Sequence, residues 1–340
     1  MSTLFSHFFQ KINEILPLEA DFTEVLESIA LKPKILYFYG KMPENVVKNG
    51  KKIRPTSVAI VGSRHNTRYG QEIAYKLAYE LARNGVIVVS GLAYGIDSIA
   101  HQGALDAGGV TVAVLGTPID KIYPTTHKPL AAEIIKTGGA IISEYAPRTA
   151  EYKDAPIAPA EAVLSGGKWL DCNYGCPKNV ENRRIEMKSS FLYRNRLISG
   201  LSDIVVVIEA AEHSGTLNTA AHALNQGKDV YAVPGNITNP YSRGCNNLLK
   251  QGAIPYTEPD DILSVLFPEK YQKSAKKSAK ILGDTPLETE VLKLIASGVQ
   301  NGEEIIKTLS LDPALFNETI TFLEIKSLVR SLGANYWSLG

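Results

Sequence analysis

Residues 57–101 read SVAIVGSRHNTRYGQEIAYKLAYELARNGVIVVSGLAYGIDSIAH, and this pattern sets the fold class. Two apolar runs rich in β-branched residues, 57–61 and 86–89, are too short and too unbroken for helices, and they predict buried strands. Between them, apolar residues such as Leu77 and Leu81 recur at helical spacing. The segment therefore predicts one strand–helix–strand unit of a parallel sheet.

Each strand of this unit runs into a glycine turn, Gly62-Ser63-Arg64 after the first and Ser90 to Gly95 after the second. Parallel strands finish at one edge of their sheet, where backbone N–H groups and helix N-termini bind phosphate, so we expect the site there. A dinucleotide-binding Rossmann enzyme needs Gly-x-Gly-x-x-Gly in the first turn and an acidic residue after the second strand, and this chain has neither. Arg64 suits the phosphate backbone of a nucleic acid better than a closely packed pyrophosphate.

The composition is that of an ordered globular protein, with 44% apolar and 21% charged residues among 340. A formal charge of +1 excludes a uniformly basic surface, so any nucleic-acid contact must come from a local patch. Three cysteines do not suggest a disulfide framework. The sequence contains neither an apolar run of transmembrane length nor a signal-peptide pattern, and we expect a cytoplasmic protein that does not enter a membrane.

The main domain is predicted to span residues 51–267, after a short lead-in at 1–50 that combines helical patterning up to Leu16 with an apolar run at 35–39. Further strands of the same sheet are predicted at 110–115, 140–143, 203–208 and 229–233. The pattern breaks at 146–187, which we interpret as a long insertion. Cys172 and Cys176 lie inside it, and a reduced loop is favoured over a metal site because two further ligands are missing.

A helix is predicted after the insertion, with Ser189 or Ser190 as its N-cap. This helix contains Arg194 and Arg196 and leads into 203–208, the most apolar of the predicted strands. We therefore expect both cations near the carboxyl edge of the sheet; the alternative is that they are two solvated surface arginines. After that strand, Ser214-Gly215-Thr216 begins another helix. Its hydroxyl groups are explained as well by helix capping as by a role in the site.

The chain after residue 267 is predicted to be a lysine-rich linker, 268–283, and a small domain, 284–340. Three short amphipathic helices followed by a two-stranded tip are typical of a winged helix. Its third helix is not basic, which favours protein docking or a structural role over duplex binding.

These motifs, taken in order, resemble those of the DprA/Smf family of bacterial DNA-processing proteins over roughly residues 35–267. The resemblance rests on GSR at 62–64, SGLAYGID at 90–97 with His101, AVLG-x-x-ID-x-x-YP at 113–124, SE at 143–144, RNR at 194–196, EA at 209–210 followed by SGT, PG at 234–235 and GCN at 244–246. It implies an extended Rossmann-like α/β domain with a mostly parallel sheet, plus a small C-terminal winged-helix domain. Two departures from the family are the length of the insertion and a lead-in too short for the helical domain that many members carry.

The resemblance also implies a function: a homodimer that binds single-stranded DNA without sequence preference and loads the RecA recombinase during natural transformation, with no cofactor. The residues that would contact the DNA or shape its pocket, matched motif by motif, are Gly62, Ser63, Arg64, Gly91, Gly95, Arg194, Asn195, Arg196, Ser214, Gly215, Thr216, Gly244, Cys245 and Asn246. On the residues alone, Cys245 is better explained as a buried structural thiol.

Two other functions compete with this hypothesis. A nucleoside-phosphate hydrolase on a related sheet could use Glu209 or Glu144 as general acid or base, since both follow strands. However, no acidic residue follows the Ser214-Gly215-Thr216 turn, where such enzymes place their catalytic glutamate. A scaffold that acts through the winged helix alone would leave the glycine turns unexplained.

Overall fold

The computed structural model describes residues 9, 11–48, 50–148, 180–269 and 283–339. These residues divide into two compact units, Met1–Leu266 and Phe267–Gly340. The predicted metal alternative at Cys172 and Cys176 lies outside the described residues, as does most of the predicted linker. No helix among the described ranges is long and apolar enough to cross a membrane.

A nine-stranded sheet forms the centre of the first unit, in the order β1-β2-β8-β7-β6-β5-β9-β10-β11. Seven of these strands, from β8 to β11 along that order, are parallel, which confirms the predicted α/β class with a mostly parallel sheet. The strands of the sheet are β1 (Asn13–Ile15), β2 (Leu36–Gly40), β5 (Ser57–Val61), β6 (Ile87–Ser90), β7 (Thr111–Leu115), β8 (Ala140–Ser143), β9 (Ile204–Val207), β10 (Asp229–Ala232) and β11 (Ile254–Pro255). A separate hairpin consists of β3 (Val46–Lys48) and β4 (Lys51–Ile53).

The strand order reverses between β5 and β9. From β5 the chain builds outward through β6 and β7 to β8, and β9 then pairs with the other side of β5. In open α/β sheets, ligands bind in the crevice outside the carboxyl ends of the strands at such a switch point. The turns after β5 and β9 therefore frame the candidate site.

Five central strands are buried along their whole length, namely β5, β6, β7, β8 and β9, and helices connect the strands. The most extensive interhelical packing is between the first two helices, and the first begins at a Thr67 cap whose hydroxyl accepts a hydrogen bond from the Gly70 N–H. The helices are α1 (Arg68–Arg83), α2 (Ile96–Asp106), α3 (Lys128–Lys136), α4 (Val180–Leu201), α5 (Thr216–Asn225), α6 (Arg243–Lys250) and α7 (Asp260–Leu266).

The lead-in and the start of α4 differ from the sequence-based expectation. Helical patterning was expected up to Leu16, yet Asn13–Ile15 is a strand that pairs antiparallel with β2, and β2 pairs antiparallel with β8. The apolar run at 35–39 is thus an edge extension of the main sheet. Helix α4 begins at Val180, so Ser189 and Ser190 lie inside it and the predicted N-cap is wrong.

The second unit has its own apolar core, which includes Leu292, Ile305 and Phe316. It consists of α8 (Pro286–Ala296), α9 (Gly302–Leu309) and α10 (Pro313–Ile325), followed by an antiparallel pair of strands, β12 (Val329–Gly333) and β13 (Tyr336–Leu339). Three helices and a two-stranded tip are the predicted elements, and their assignment to the winged-helix class stays a prediction.

Candidate functional site

The turns after β5 and β9 are joined by side-chain hydrogen bonds across the switch point. The Thr216 hydroxyl, at the start of α5, donates to the Gly62 carbonyl over 3.0 Å. The buried Glu209 carboxylate accepts from the Thr67 N–H (2.8 Å) and the Thr67 hydroxyl (2.5 Å). A Cβ on Gly70 would clash with this carboxylate, so the first turn of α1 requires glycine there. Glu209 is thus a structural residue that holds the start of α1.

Arg64 is an exposed cation at this edge. Its guanidinium carbon lies 5.3 Å from the ring centroid of Phe191, a half-buried residue of α4. This geometry is a cation–π contact, which orients the guanidinium while leaving its N–H groups available to other partners. Arg64 therefore lies where the sequence predicted a phosphate-binding cation.

An aromatic cluster beside Arg64 was missed by the sequence reasoning. The ring of Phe191 lies 5.6 Å from that of Tyr123, and it packs against the backbone of Gly116, where a Cβ would clash with it. Tyr94, which is 45% exposed, lies edge-on to His127 at 4.9 Å. Aromatic residues interleaved with cations are the signal that could have indicated this surface.

The second glycine turn is held tightly against the first. The Ile96 N–H, at the start of α2, donates to the Ser63 carbonyl over 3.2 Å, and the Ser63 hydroxyl accepts from the His65 N–H over 3.1 Å. Gly95 has a φ of +77°, and a Cβ there would clash with that Ser63 carbonyl. Only glycine fits both requirements, so the two turns act as one rigid unit.

Arg194 lies inside the protein, with 4% of its surface exposed. Its guanidinium donates to the Gly91 carbonyl over 2.8 Å and to the Val114 carbonyl. Burial lowers the pKa of Arg194 to about 10, which still leaves it charged at neutral pH, and the nearby Asp97 carboxylate opposes that shift. Asp97 accepts from the Gly91 N–H over 3.1 Å, and burial raises its pKa against the opposing charge of Arg194. Arg194 thus fastens the turn after β6 to β7.

Arg196 is 1% exposed and forms a buried ion pair. Its Nη2 lies 2.7 Å from both carboxylate oxygens of Glu144, and its Nε donates to the Leu31 carbonyl over 2.7 Å. The expectation that Arg194 and Arg196 contact the DNA is therefore corrected, because α4 turns both side chains into the interior. Glu144, considered above as a general acid or base, is the carboxylate of this pair.

The remaining residues around α4 and α5 form a polar wall. The Asn195 amide donates to the Gly215 carbonyl over 3.2 Å, which ties α4 to the start of α5. The Ser214 hydroxyl accepts from the Thr216 N–H over 3.2 Å, while the N-cap of α5 is Gly215. Gly215 is exposed, so its backbone faces solvent at the switch point.

The predicted Gly244 to Asn246 turn begins α6. The Gly244 N–H donates to the Ala210 carbonyl over 2.8 Å, and the Asn246 amide exchanges two hydrogen bonds with the backbone of Gly235 (3.2 and 3.0 Å). Cys245 is fully buried, and burial raises the pKa of its thiol to about 12. The expectation that the Cys245 side chain contacts the DNA is therefore corrected, whereas the interpretation as a structural thiol agrees with its burial.

The chemistry available at this edge is the binding of an anionic chain. It offers an exposed guanidinium, an aromatic cluster and the backbone groups of two glycine turns, while Glu209 and Glu144 are held in internal contacts. Among the residues that the structure describes, no group of three His, Cys, Asp or Glu side chains could hold a metal ion.

A family model described as DNA recombination-mediator protein A matches residues 13–155 and 179–267. The unmatched residues 156–178 lie within the segment interpreted above as an insertion.

Two relatives illustrate the range of similarity. Protein Smf of Escherichia coli is 41% identical over 209 residues, which cover 62% of this chain and 46% of that protein. DNA processing protein DprA of Streptococcus pneumoniae is 33% identical over 256 residues, which cover 75% of each chain. The chain thus spans about half the length of the E. coli relative and three quarters of the pneumococcal one.

Solved structures of two such proteins share this fold. The S. pneumoniae protein superposes with a TM-score of 0.56 at 32% identity, covering 76% of each chain. DNA processing protein A from Helicobacter pylori, whose structure is described as giving insight into a unique single-stranded DNA binding mode, superposes with a TM-score of 0.57 at 27% identity and covers 78% of this chain and 98% of that one. Because the family model matches more than half of the chain and the pneumococcal relative is 33% identical over three quarters of it, this chain belongs to the DprA/Smf family of DNA-processing proteins.

Proposed function

We propose that the first unit binds single-stranded DNA without sequence preference at the carboxyl edge of its sheet and releases it chemically unaltered. The observation that carries this proposal is the exposed Arg64 guanidinium beside Phe191 at the β5–β9 switch point. A cation next to an aromatic ring suits a strand whose phosphates and unpaired bases are both accessible. The single-stranded DNA binding described for the H. pylori relative supports the same substrate.

Within this proposal the predicted residues divide into two roles. Arg64 contacts the phosphate backbone, together with backbone N–H groups of the Gly62–Ser63 turn and of Gly95. Arg194, Asn195 and Arg196 are positioning residues, because their side chains bond to protein groups and hold the turns in place.

Fluorescence anisotropy with labelled single strands, duplex and a mononucleotide tests this function. We expect preferential binding of single strands, with an affinity that falls steeply with salt, and an Arg64→Ala variant that weakens all sequences alike and lowers the salt slope by about 1. Arg83→Ala is the matched control, because Arg83 is also exposed and lies 5.9 Å from the Tyr79 ring, but at the far end of α1. Equal binding by Arg64→Ala and wild type at low salt would contradict the proposal.

A hydrolase is the competing function, and the same protein preparation tests it. Release of a base from a nucleoside monophosphate, abolished by Glu209→Gln with the fold intact, would favour it over DNA binding. We expect no release, since the Glu209 carboxylate is occupied by Thr67.

We also propose, from the family resemblance, that the chain acts as a homodimer and delivers its strand to the RecA recombinase. Sedimentation velocity at micromolar concentration tests the dimer. Filament formation by RecA on a labelled strand, followed with and without this protein, tests the delivery; a rate that this protein leaves unchanged would oppose it.

A further inference from the structure

A second surface of the same sheet edge lies on the other side of the switch point, in the loop 234–242 between β10 and α6. Strand β10 pairs with β9, which pairs with β5. Neighbouring strands are about 4.8 Å apart, so this loop starts roughly 10 Å from the turn that carries Arg64. Phe191, by contrast, packs beside the turn after β7, in the opposite direction along the edge.

Ile237, within this loop, is 82% exposed, the highest value for any large hydrophobic residue among those described. The loop around it is ordered by its own side chains. The Asn236 side-chain oxygen accepts from the Thr238 N–H (3.0 Å) and hydroxyl (2.9 Å), and the Asn239 side-chain oxygen accepts from the Tyr241 N–H (3.0 Å). Ile237 is therefore exposed to solvent on a loop whose conformation is fixed by hydrogen bonds of its own side chains.

The loop is also fixed at its base. The Tyr69 hydroxyl, from the first turn of α1, donates to the Pro234 carbonyl over 2.9 Å, and the Tyr69 ring remains 46% exposed. The paired hydrogen bonds between Asn246 and Gly235 fasten the same strand end to α6. An exposed aromatic ring thus lies against the loop that presents Ile237.

The charge beside Ile237 suits an anionic ligand. Arg243 directly follows the loop and is exposed, and among the described residues its guanidinium has no hydrogen-bond partner. Arg68, next to Tyr69, is 91% exposed and pairs with Glu72, a surface ion pair that costs little to exchange for a phosphate. Glu212, in the turn after β9, is the exposed carboxylate that limits the positive charge on this side.

We infer that Tyr69, Ile237 and Arg243 form a second contact zone for the same single strand. The strand extends from Arg64 across the switch point to reach this zone. Ile237 inserts between neighbouring bases, as apolar wedge residues do in bent duplexes, while Tyr69 offers a stacking face and Arg243 neutralises a phosphate. This inference rests on the proposed function, and it adds that the strand's path continues over β9 and β10.

The dependence of affinity on strand length tests the inference with the full-length chain. An oligothymidylate of about 5 nucleotides is long enough to occupy one contact zone, and one of about 15 nucleotides is long enough to occupy both. We expect the longer strand to bind the wild type at least about tenfold more tightly, and the Ile237→Ser/Arg243→Ala variant to lose most of that gain while binding the short strand within about twofold of wild type. The matched control is Leu224→Ser/Arg83→Ala, which removes an exposed leucine of α5 and an exposed arginine of α1 at the opposite edge.

A fluorescent base gives a second readout, specific to the wedge. The emission of 2-aminopurine rises when the base is unstacked, so a strand carrying it should brighten on binding to wild type and stay dim with Ile237→Ser. Equal length dependence and equal brightening in wild type, variant and control would overturn the second zone while leaving the Arg64 site intact. Loss of short-strand binding in Arg64→Ala alone supports the proposed function. If Arg64→Ala binds the short strand as tightly as wild type, both the proposed function and the second contact zone are contradicted.

Discussion

The loop after β5 and helix α4 bring arginines to the same edge of the sheet, and the two regions treat them in opposite ways. Arg64 stays in water with its guanidinium over Phe191. Arg196 is enclosed, with both oxygens of Glu144 at 2.7 Å and the Leu31 carbonyl on its Nε. One arginine is available to a ligand, and the other joins the lead-in to the sheet. Residue type at a strand end therefore indicates a function only when the side chain's exposure is known.

The sharpest test of this contrast is to break the buried pair. An Arg196→Met variant removes the cation that contacts both oxygens of the buried Glu144 carboxylate, and we expect the free energy of unfolding to fall by about 3–5 kcal/mol. Urea unfolding followed by far-UV circular dichroism measures this change. Arg196→Met combined with Glu144→Leu should recover much of the loss; if the single variant costs less than about 1 kcal/mol, the pair is not a buried one in solution.

A buried basic group without a carboxylate partner should behave differently from Arg196. Burial, with the nearby charges of His127 and Arg194, lowers the pKa of His101 to about 3 from 6.5. As the pH falls through 6.5, His101 takes up a proton in the unfolded chain and stays neutral in the folded chain. Its contribution to the free energy of unfolding is therefore complete above pH 6.5 and is lost as the pH falls towards 3.

We expect this histidine to contribute about 2 kcal/mol to the loss of stability between pH 7 and pH 5. His101→Gln should flatten that part of the curve, as measured by urea unfolding at both pH values. His65→Gln, which changes an exposed histidine of the Arg64 loop, is the control for removing a histidine. An unchanged slope in His101→Gln would show that other groups titrate instead.

The buried thiol of Cys245 in α6 tests the same distinction between buried residues and ligand contacts, with a smaller expected effect on the free energy of unfolding. Cys245→Ala should cost about 1 kcal/mol of unfolding free energy, a typical value for a small change in a core, and leave the affinity for single strands unchanged. Unfolding and anisotropy measurements on one sample check both statements. A fall in affinity without a fall in stability would return Cys245 to the binding surface.

Arg64 should show the smallest effect on stability and the clearest effect on binding. Because its guanidinium is exposed, Arg64→Ala should change the unfolding free energy by less than about 0.5 kcal/mol. The same variant is the one expected to weaken DNA binding. A large loss of stability would place Arg64 with the positioning residues rather than with the ligand contacts.

Much of the fold was predictable because its strands are continuous apolar runs. The run at 57–61 is β5 residue for residue, and the predicted third to sixth strands lie within one or two residues of β7, β8, β9 and β10. Such runs are buried on both faces in a parallel sheet, so composition alone marks them. The position of β9 beside β5 is a long-range pairing, which local patterns do not specify.

The errors in the site have a common cause. Exposure depends on which face of α4 meets the sheet, and the sequence did not show that Arg194 and Arg196 would point inward. A buried arginine resembles a surface arginine in sequence until its carboxylate partner is known, and Glu144 lies 52 residues away. The contribution of Phe191 was missed for the same reason, since its contacts with Arg64 and Gly116 are long-range.

The close approach of Gly95 to the Ser63 carbonyl has a consequence for affinity. Since the backbone on either side of Arg64 is already locked against the neighbouring turn, little conformational freedom is left to lose when a ligand arrives. Preorganisation of this kind lets an exposed guanidinium such as that of Arg64 bind usefully, because the ordering cost was met during folding. Loosening the turn, for example with Ser63→Gly, should therefore weaken binding even though every ligand-contacting side chain remains.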